Sequence, residues 1–243
     1  MKKKTGEFEI MEFQGKKFSG LALNSYEGEE QLEEFLMIFR KTYVQEFDKN
    51  IDEIRFINNL NKVSNKSIYT MQVHNSDKTI NNFLYEQDTL ITPTVENVIS
   101  YNTNAQAIYQ EEGTYGIEGV SDLNHIAYTV DMVRDSVRFG EDQLPTIAYK
   151  AAYIWFKIAK FQAFKNGNKR TAMVSALVFL HSNSYNFQFK NGIKDELINM
   201  SQRIAQFKET DKEALDLIHE YLLDNVVLNL NNREWKFLEK LSD

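Results

Sequence analysis

The chain of 243 residues contains no cysteine. That absence excludes disulfides and thiolate metal sites, and it suits a reducing compartment, so a cytoplasmic location is the expectation. Proline is nearly as scarce, at two residues, and glycine stands at ten, so long helices with few interruptions are favoured. No apolar run approaches the roughly 20 residues that span a bilayer, and no membrane partner is expected. Positive charge is short as well. With 28 Lys and Arg against 35 Asp and Glu the net charge is −7, which argues against general affinity for nucleic acid. Lys2-Lys3-Lys4 is not followed by the apolar stretch of a secretion signal and reads as a mature start. His74, His125, His181 and His219 are scattered without metal-ligand spacing, so no metal site is expected.

What is present is apolar and aromatic. Hydrophobic residues make up 42%, with 17 Phe and 12 Tyr, enough for a substantial core. The first ninety residues read as α+β. Phe8–Phe13 and Phe18–Leu23 flank Gln14-Gly15-Lys16-Lys17 as a hairpin. Glu29–Phe47 is an amphipathic helix, with Leu32, Phe35, Leu36, Phe39, Tyr43 and Phe47 on one face. Ser67–Val73 reads as a strand ending in a turn at Asn75-Ser76-Asp77. There is no linker rich in Pro, Gly or Ser and no internal repeat. The expected organisation is an α+β lobe over residues 1–91, a helical domain over 92–228, and an amphipathic tail over 229–243 carrying Trp235, Phe237, Leu238 and Leu241.

The chemistry concentrates in one loop. Pro145–Phe161 has Pro at the expected first helical position and apolar residues at helical spacing. Thr171–Leu180 is apolar nearly all round and reads as a buried helix, with His181 at its end as a cap or core contact. Between them Asn166-Gly167-Asn168 are residue types that tolerate left-handed backbone and turn the chain sharply. Lys169 and Arg170 then open the second helix, where the macrodipole disfavours cations. A bound anion at that helix start offsets the mismatch, so Asn166, Gly167, Asn168, Lys169 and Arg170 are the candidate phosphate-binding residues. A solvated basic pair on a surface turn is the bland alternative. Tyr149, Tyr153, Trp155 and Phe156 lie at helical spacing and read as core.

The stretch Gln162-Ala163-Phe164-Lys165-Asn166-Gly167-Asn168-Lys169-Arg170-Thr171-Ala172 resembles the motif of the Fic/Doc (Fido-fold) family, His-x-Phe-x-(Asp/Glu)-Gly-Asn-(Gly/Lys)-Arg, often followed by Thr-Ala. Leu144-Pro145-Thr146 and Lys150-Ala151-Ala152 before it, and Phe179-Leu180 and Asn183-Ser184-Tyr185 after it, fit the same pattern. The resemblance spans roughly Thr92 to Asn225. It implies a mainly α fold, a Fido-type helical bundle beside the small N-terminal α+β region. It implies transfer of a phosphoryl or AMP group from ATP or another nucleotide to a protein hydroxyl, with toxin–antitoxin systems among the settings. Lys169 in place of Gly, and Met173 where AMP-transferring members carry a second Arg, resemble the Doc-like, phosphoryl-transferring branch. Arg138, Phe139 and Gly140 fall on the family's flap, which docks an extended target segment by strand addition; an ordinary surface loop is the alternative.

Two departures bear on function. Gln162 stands where the family has its general-base His, and an amide does not accept a proton near neutral pH. Asn166 replaces the acidic residue that holds the metal on the phosphates, which weakens the case for Mg²⁺. Three readings follow: a catalytically degenerate protein that binds nucleotide and acts through a protein target or regulatory partner; an active atypical transferase in which Gln162 orients the hydroxyl; and a pure protein-binding regulator from a mobile element. His125 is a candidate replacement base. The family's inhibitory pattern (Ser/Thr)-x-x-x-Glu-(Gly/Asn) occurs at Thr92…Glu96-Asn97 and Thr114…Glu118-Gly119, but Thr92-Pro93 reads more simply as a helix cap followed by a first-turn Pro.

Overall fold

The structure is a computed structural model that describes residues 10–63, 66–108, 119–208 and 210–230. The chain divides into two compact units, Met1–Thr89 with Val227–Asp243, and Leu90–Val226. The amphipathic tail expected around Trp235 and the pattern at Thr114 lie outside the described residues.

The first unit is a mixed sheet with a helix on it. Strands β1 (Met11–Phe13) and β2 (Lys16–Phe18) form a two-residue hairpin, with Gln14 and Gly15 at φ 49° and 72°. The turn is tighter than the sequence suggested. Lys16 and Lys17 are strand residues, and Leu21–Asn24 leaves the hairpin to become β3. Helix α1 (Glu29–Phe47) has the boundaries that its apolar spacing predicts. Strands β4 (Glu53–Val63), β5 (Lys66–Asn75) and β6 (Lys78–Gln87) complete a sheet of order β3-β6-β5-β4. Within it β3 runs parallel to β6, and the other pairs are antiparallel. The turn joining β5 to β6 has Ser76 and Asp77 at φ 47° and 63°, the left-handed pair that matches strand twist.

Strand alternation divides this unit's core in two. Phe83 and Tyr85 point to the α1 side, where Phe39, Tyr43 and Phe47 meet Phe83 and Phe35 meets Tyr85 at ring-centroid distances of 5.2–6.0 Å. Leu84 and Ile68 point the other way and pack with Phe13, Phe18, Leu21 and Leu23. Residues 227–230 close the unit. Leu228 N–H donates to Thr42 Oγ1 at 2.9 Å, and Leu21 N–H donates to the Leu230 carbonyl at 3.3 Å.

The second unit is helical. It contains α2 (Val95–Ile108), α3 (Leu123–Arg134), the short strands β7 (Val137–Arg138) and β8 (Glu141–Asp142), α4 (Ile147–Phe161), α5 (Asn168–Ser182), β9 (Tyr185–Phe187), α6 (Ile193–Gln206) and α7 (Asp211–Asn225), after which β10 (Val226–Leu228) leads back to the first unit. This is the expected mainly α class, a helical bundle with an N-terminal α+β region. Helix α4 is its hub, packed against α3, α5, α6 and α7 and buried from Ile147 to Ala159 on nearly every side. Helix α5 is less enclosed than its composition suggests, since Val174, Leu177 and Val178 are only half-buried.

Two helix starts correct the sequence reading. Thr94, not Thr92, caps α2: Asn97 N–H donates to Thr94 Oγ1 at 3.2 Å, and Thr94 N–H donates to Asn97 Oδ1 at 3.0 Å. Pro145 sits one place ahead of the true cap of α4, Thr146, whose hydroxyl accepts from Tyr149 N–H at 3.1 Å. Asn183, rather than His181, closes α5. It is fully buried and donates from its side chain to the Phe179 and Ile91 carbonyls, while His181 is exposed and bonded to Asn186.

Gly20 shows how closely the first unit is packed. A Cβ there would lie 2.7 Å from the Leu230 carbonyl oxygen and 3.1 Å from the Phe83 ring. Gly20→Ala is therefore expected to cost about 1–3 kcal/mol in chemical denaturation, the usual range for overpacking. An unchanged midpoint would mean that residues 227–230 do not close this unit.

Candidate functional site

The site is the loop of residues 162–167 between α4 and α5. Helix α4 stops at Gln162, which takes the left-handed conformation (φ 50°, ψ 48°). For a residue with a Cβ that costs roughly 1–2 kcal/mol, so the surroundings must hold it. They do so through the next residues. The Ala163 carbonyl accepts from the N–H groups of Ser121 and Asp122 at 2.8 and 3.0 Å. Lys165 N–H donates to the Gly119 carbonyl at 3.0 Å, and Phe164 bridges Val120 as a single β-type pair. Ala163 and Phe164 are buried, so the loop is nailed down at its start.

Asn168 closes it. Its side-chain amide donates to the Phe164 carbonyl at 2.6 Å and its oxygen accepts from Phe164 N–H at 2.8 Å, a two-point clasp four residues long. Asn166 turns its side-chain oxygen onto the N–H of Gly167 at 2.7 Å. Gly167 then takes the left-handed conformation (φ 76°) that lets α5 begin at once, and supplies no side-chain cap. The left-handed residues are thus Gln162 and Gly167, not the two asparagines. From α2, the buried Asn102 donates to the Asn166 carbonyl at 2.9 Å and to Thr171 Oγ1 at 2.8 Å. Sequence inspection did not single out Asn102. A lone asparagine within a helix carries no local signal, and both its partners are more than sixty residues away.

The result is an open concavity of about 250 Å³ in front of α5. Gln162, Lys165, Asn166, Gly167, Asn168, Lys169 and Arg170 line it, with Ala159 of α4 and Ala205 of α6 at its sides. All five residues proposed for phosphate binding come together here with Gln162. Lys165 joins them as a third cation that the motif alone did not assign. The N–H groups of a first helical turn have no acceptor within the helix, and the dipole there favours an anion. Three cationic side chains, the helix start and several side-chain amides face one small volume on a chain whose net charge is −7. The site can therefore hold a phosphate by charge and by directed N–H donors.

It is less equipped for proton transfer. Among the described residues, no carboxylate and no imidazole lines the concavity. His125 lies on α3 with its ring 4.4 Å from that of Phe161, and its Nε2 is buried without a hydrogen-bond partner. It packs behind the end of α4 and does not line the concavity. A divalent cation held by protein oxygens does not fit these residues either. The Asn166 oxygen already accepts from Gly167, and no negatively charged ligand lies beside it among the described residues.

The flap expectation corresponds to a hairpin. Val137 and Arg138 pair with Asp142 and Glu141, and Phe139 and Gly140 form the turn at φ 53° and 84°. Phe139 is wholly exposed at the tip. Arg138 is folded back, donating to the Val137 carbonyl at 2.7 Å and lying 3.7 Å from Asp135.

A comparison with family models matches residues 92–180 to the Fic/DOC family. A search of curated proteins finds no match to the chain.

Asn102→Ala leaves the Asn166 carbonyl without its donor from α2. The expected cost is about 1–3 kcal/mol in chemical denaturation, with faster amide exchange at residues 166–171. A variant as stable and as slowly exchanging as the parent would show that α2 does not hold the loop.

Proposed function

We propose, from the match of residues 92–180 to the Fic/DOC family, that this chain binds the phosphates of a nucleotide in the concavity ahead of α5 but does not transfer them efficiently, and that it acts through contact with another protein. The observation that carries the reading is the composition of the concavity: cations and amides line it, with no carboxylate or imidazole among the described residues. The family's reaction needs a base to take the proton of the attacking hydroxyl. Such assistance is typically worth about a hundred- to ten-thousand-fold in rate. Gln162 has no proton-accepting nitrogen and cannot supply it. The phosphate-holding half of the machinery depends on position and charge, and those residues are present. Asn168, whose side chain clasps Phe164, contributes through loop geometry and its backbone N–H; Lys165, Lys169 and Arg170 contribute charge.

Phosphoryl chemistry is the better-supported ancestry, because Lys169 and Met173 stand where AMP-transferring members have Gly and Arg. The exposed hairpin tip at Phe139 supports a protein as the partner.

Thermal unfolding with millimolar ATP, GTP or CTP, with and without Mg²⁺, tests the reading. A nucleotide at about a hundred times its dissociation constant stabilises the fold by about 2.7 kcal/mol. At least one nucleotide is expected to raise the Tm, with little dependence on Mg²⁺, and Arg170→Ala is expected to abolish the rise. No rise with any nucleotide would leave a scaffold that acts by its surfaces alone. Transfer of γ-³²P or α-³²P label to a protein in lysate at a rate typical of an enzyme would overturn the claim of impairment and favour Gln162 as a residue that orients the hydroxyl.

A further inference from the structure

Lysine is almost never fully buried unless paired. Lys150, in the first half of α4, has no exposed surface. Its Nζ donates to the Val133 carbonyl at 3.1 Å and to Ser136 Oγ at 2.6 Å. Ser136 Oγ donates in turn to Asp142 Oδ1 at 2.5 Å, and the same oxygen accepts from Leu144 N–H at 2.9 Å. Val133 lies in the last turn of α3, Ser136 immediately precedes β7, and Asp142 ends β8. One ammonium therefore ties the end of a helix to both feet of the Val137–Asp142 hairpin.

The hairpin's other ties are short-range ones, from Val137 and Arg138 to Asp135, from Arg138 to Met132, and from Gln143 N–H to the Ser136 carbonyl. Its strands are two residues long, Val137 is half-exposed, and Phe139 points wholly into solvent. A two-stranded hairpin of this kind is marginal by itself. Core filling alone does not account for Lys150 either. Replacing a buried ion pair by well-packed apolar residues is often neutral or stabilising, because the charges no longer lose hydration. The cation does match its surroundings: Val133 is at the negative end of the α3 dipole, and Asp142 and Asp135 are the charged groups that act on it.

We propose that Lys150 is a positioning residue, one that sets the orientation of the Val137–Asp142 hairpin through Ser136 and Asp142, so that the edge of β7, unpaired among the described residues, is presented to an extended segment of a partner protein. The proposal rests on the reading of the hairpin as a docking element given above, but its test needs no partner.

Proton linkage separates this role from a purely structural one. Burial pulls Lys150 down from 10.5 to about 8, and Asp142 and Asp135 oppose the shift. Between about pH 8 and 10.5 the unfolded chain keeps a proton that the folded chain has released, so this group's contribution to stability rises with pH. Over the same interval the charge-assisted tie to Ser136 is lost. Stability and hairpin order should therefore move in opposite directions.

The experiment is backbone ¹⁵N relaxation on the full chain from pH 7 to 9.5, with chemical denaturation in parallel, for the parent, Ser136→Ala and Lys150→Met. Ser136→Ala breaks the tie while the buried amine keeps its bond to the Val133 carbonyl, which guards against a Lys150 variant that fails to fold. At pH 7 the parent is expected to show order parameters near the rigid value of about 0.85 at residues 137–142, and Ser136→Ala and Lys150→Met values below about 0.6, with α4 unchanged in all three. Raising the pH is expected to lower the parent's hairpin values and to leave those of Lys150→Met flat. Hairpins that stay ordered in both variants, loosening that only accompanies loss of global stability, or a parent hairpin insensitive to pH would each overturn the proposal. A hairpin that behaves as described but binds no protein would leave this inference standing and remove the docking role instead.

Discussion

The clasp of Asn168 on Phe164 is the interaction on which the site depends. Both ends of one side-chain amide are engaged by one backbone residue, at 2.6 and 2.8 Å, and this fixes where α4 ends and α5 begins. The left-handed Gln162 is tolerable only because the chain beyond it is held. The start of α5 faces the concavity only because Gly167 turns the backbone within one residue. Asn102 secures the same loop from α2, and the segment before α3 secures it from the other side. A loop built this way is preorganised: its donors need not be ordered when an anion arrives, which is the condition under which backbone N–H groups and helix dipoles bind phosphate well.

The same rigidity bears on the chemistry that has been replaced. Gln162 and Asn166 are polar, similar in size to the residues they stand for, and compatible with the local backbone, so the loop keeps its shape. What changes is charge and basicity. Where the family motif has an imidazole and a carboxylate, this chain has two neutral amides, one exposed at a helix end and one turned onto Gly167. Lys165, Lys169 and Arg170 remain as the cationic side chains lining the concavity. Under the proposed function, cations and a helix start without a proton acceptor favour binding over turnover.

How far the sequence led can be traced residue by residue. The boundaries of α1 were legible because Leu32, Phe35, Leu36, Phe39, Tyr43 and Phe47 repeat at helical spacing and nothing competes with them. The loop was legible because Asn-Gly-Asn followed by two cations between apolar helices has few uses. Strands β4 and β6 were not legible: Asn58, Asn59, Asn61, Asn81 and Asn82 are of a residue type depleted in strands, and pairing with β5 overrides that preference. The cap of α2 was missed because Thr92 and Thr94 are equally good caps, and only the bonds exchanged with Asn97 decide between them. The orientation of Asn166 and the arrival of Asn102 are tertiary facts with no local signature. Hence most residues lining the concavity could be named in advance, Lys165 excepted, while what holds them could not.

The most direct test observes the loop itself. Titration of ¹⁵N-labelled protein with ATP, without Mg²⁺, would report on the amides of Gly167, Asn168, Lys169 and Arg170 one by one. The account predicts saturable shifts at these four, with smaller changes at Gln162 and Asn102 and none in the N-terminal sheet. Shifts confined to other regions, or none at nucleotide concentrations up to several millimolar, would contradict the claim that the start of α5 is a phosphate site.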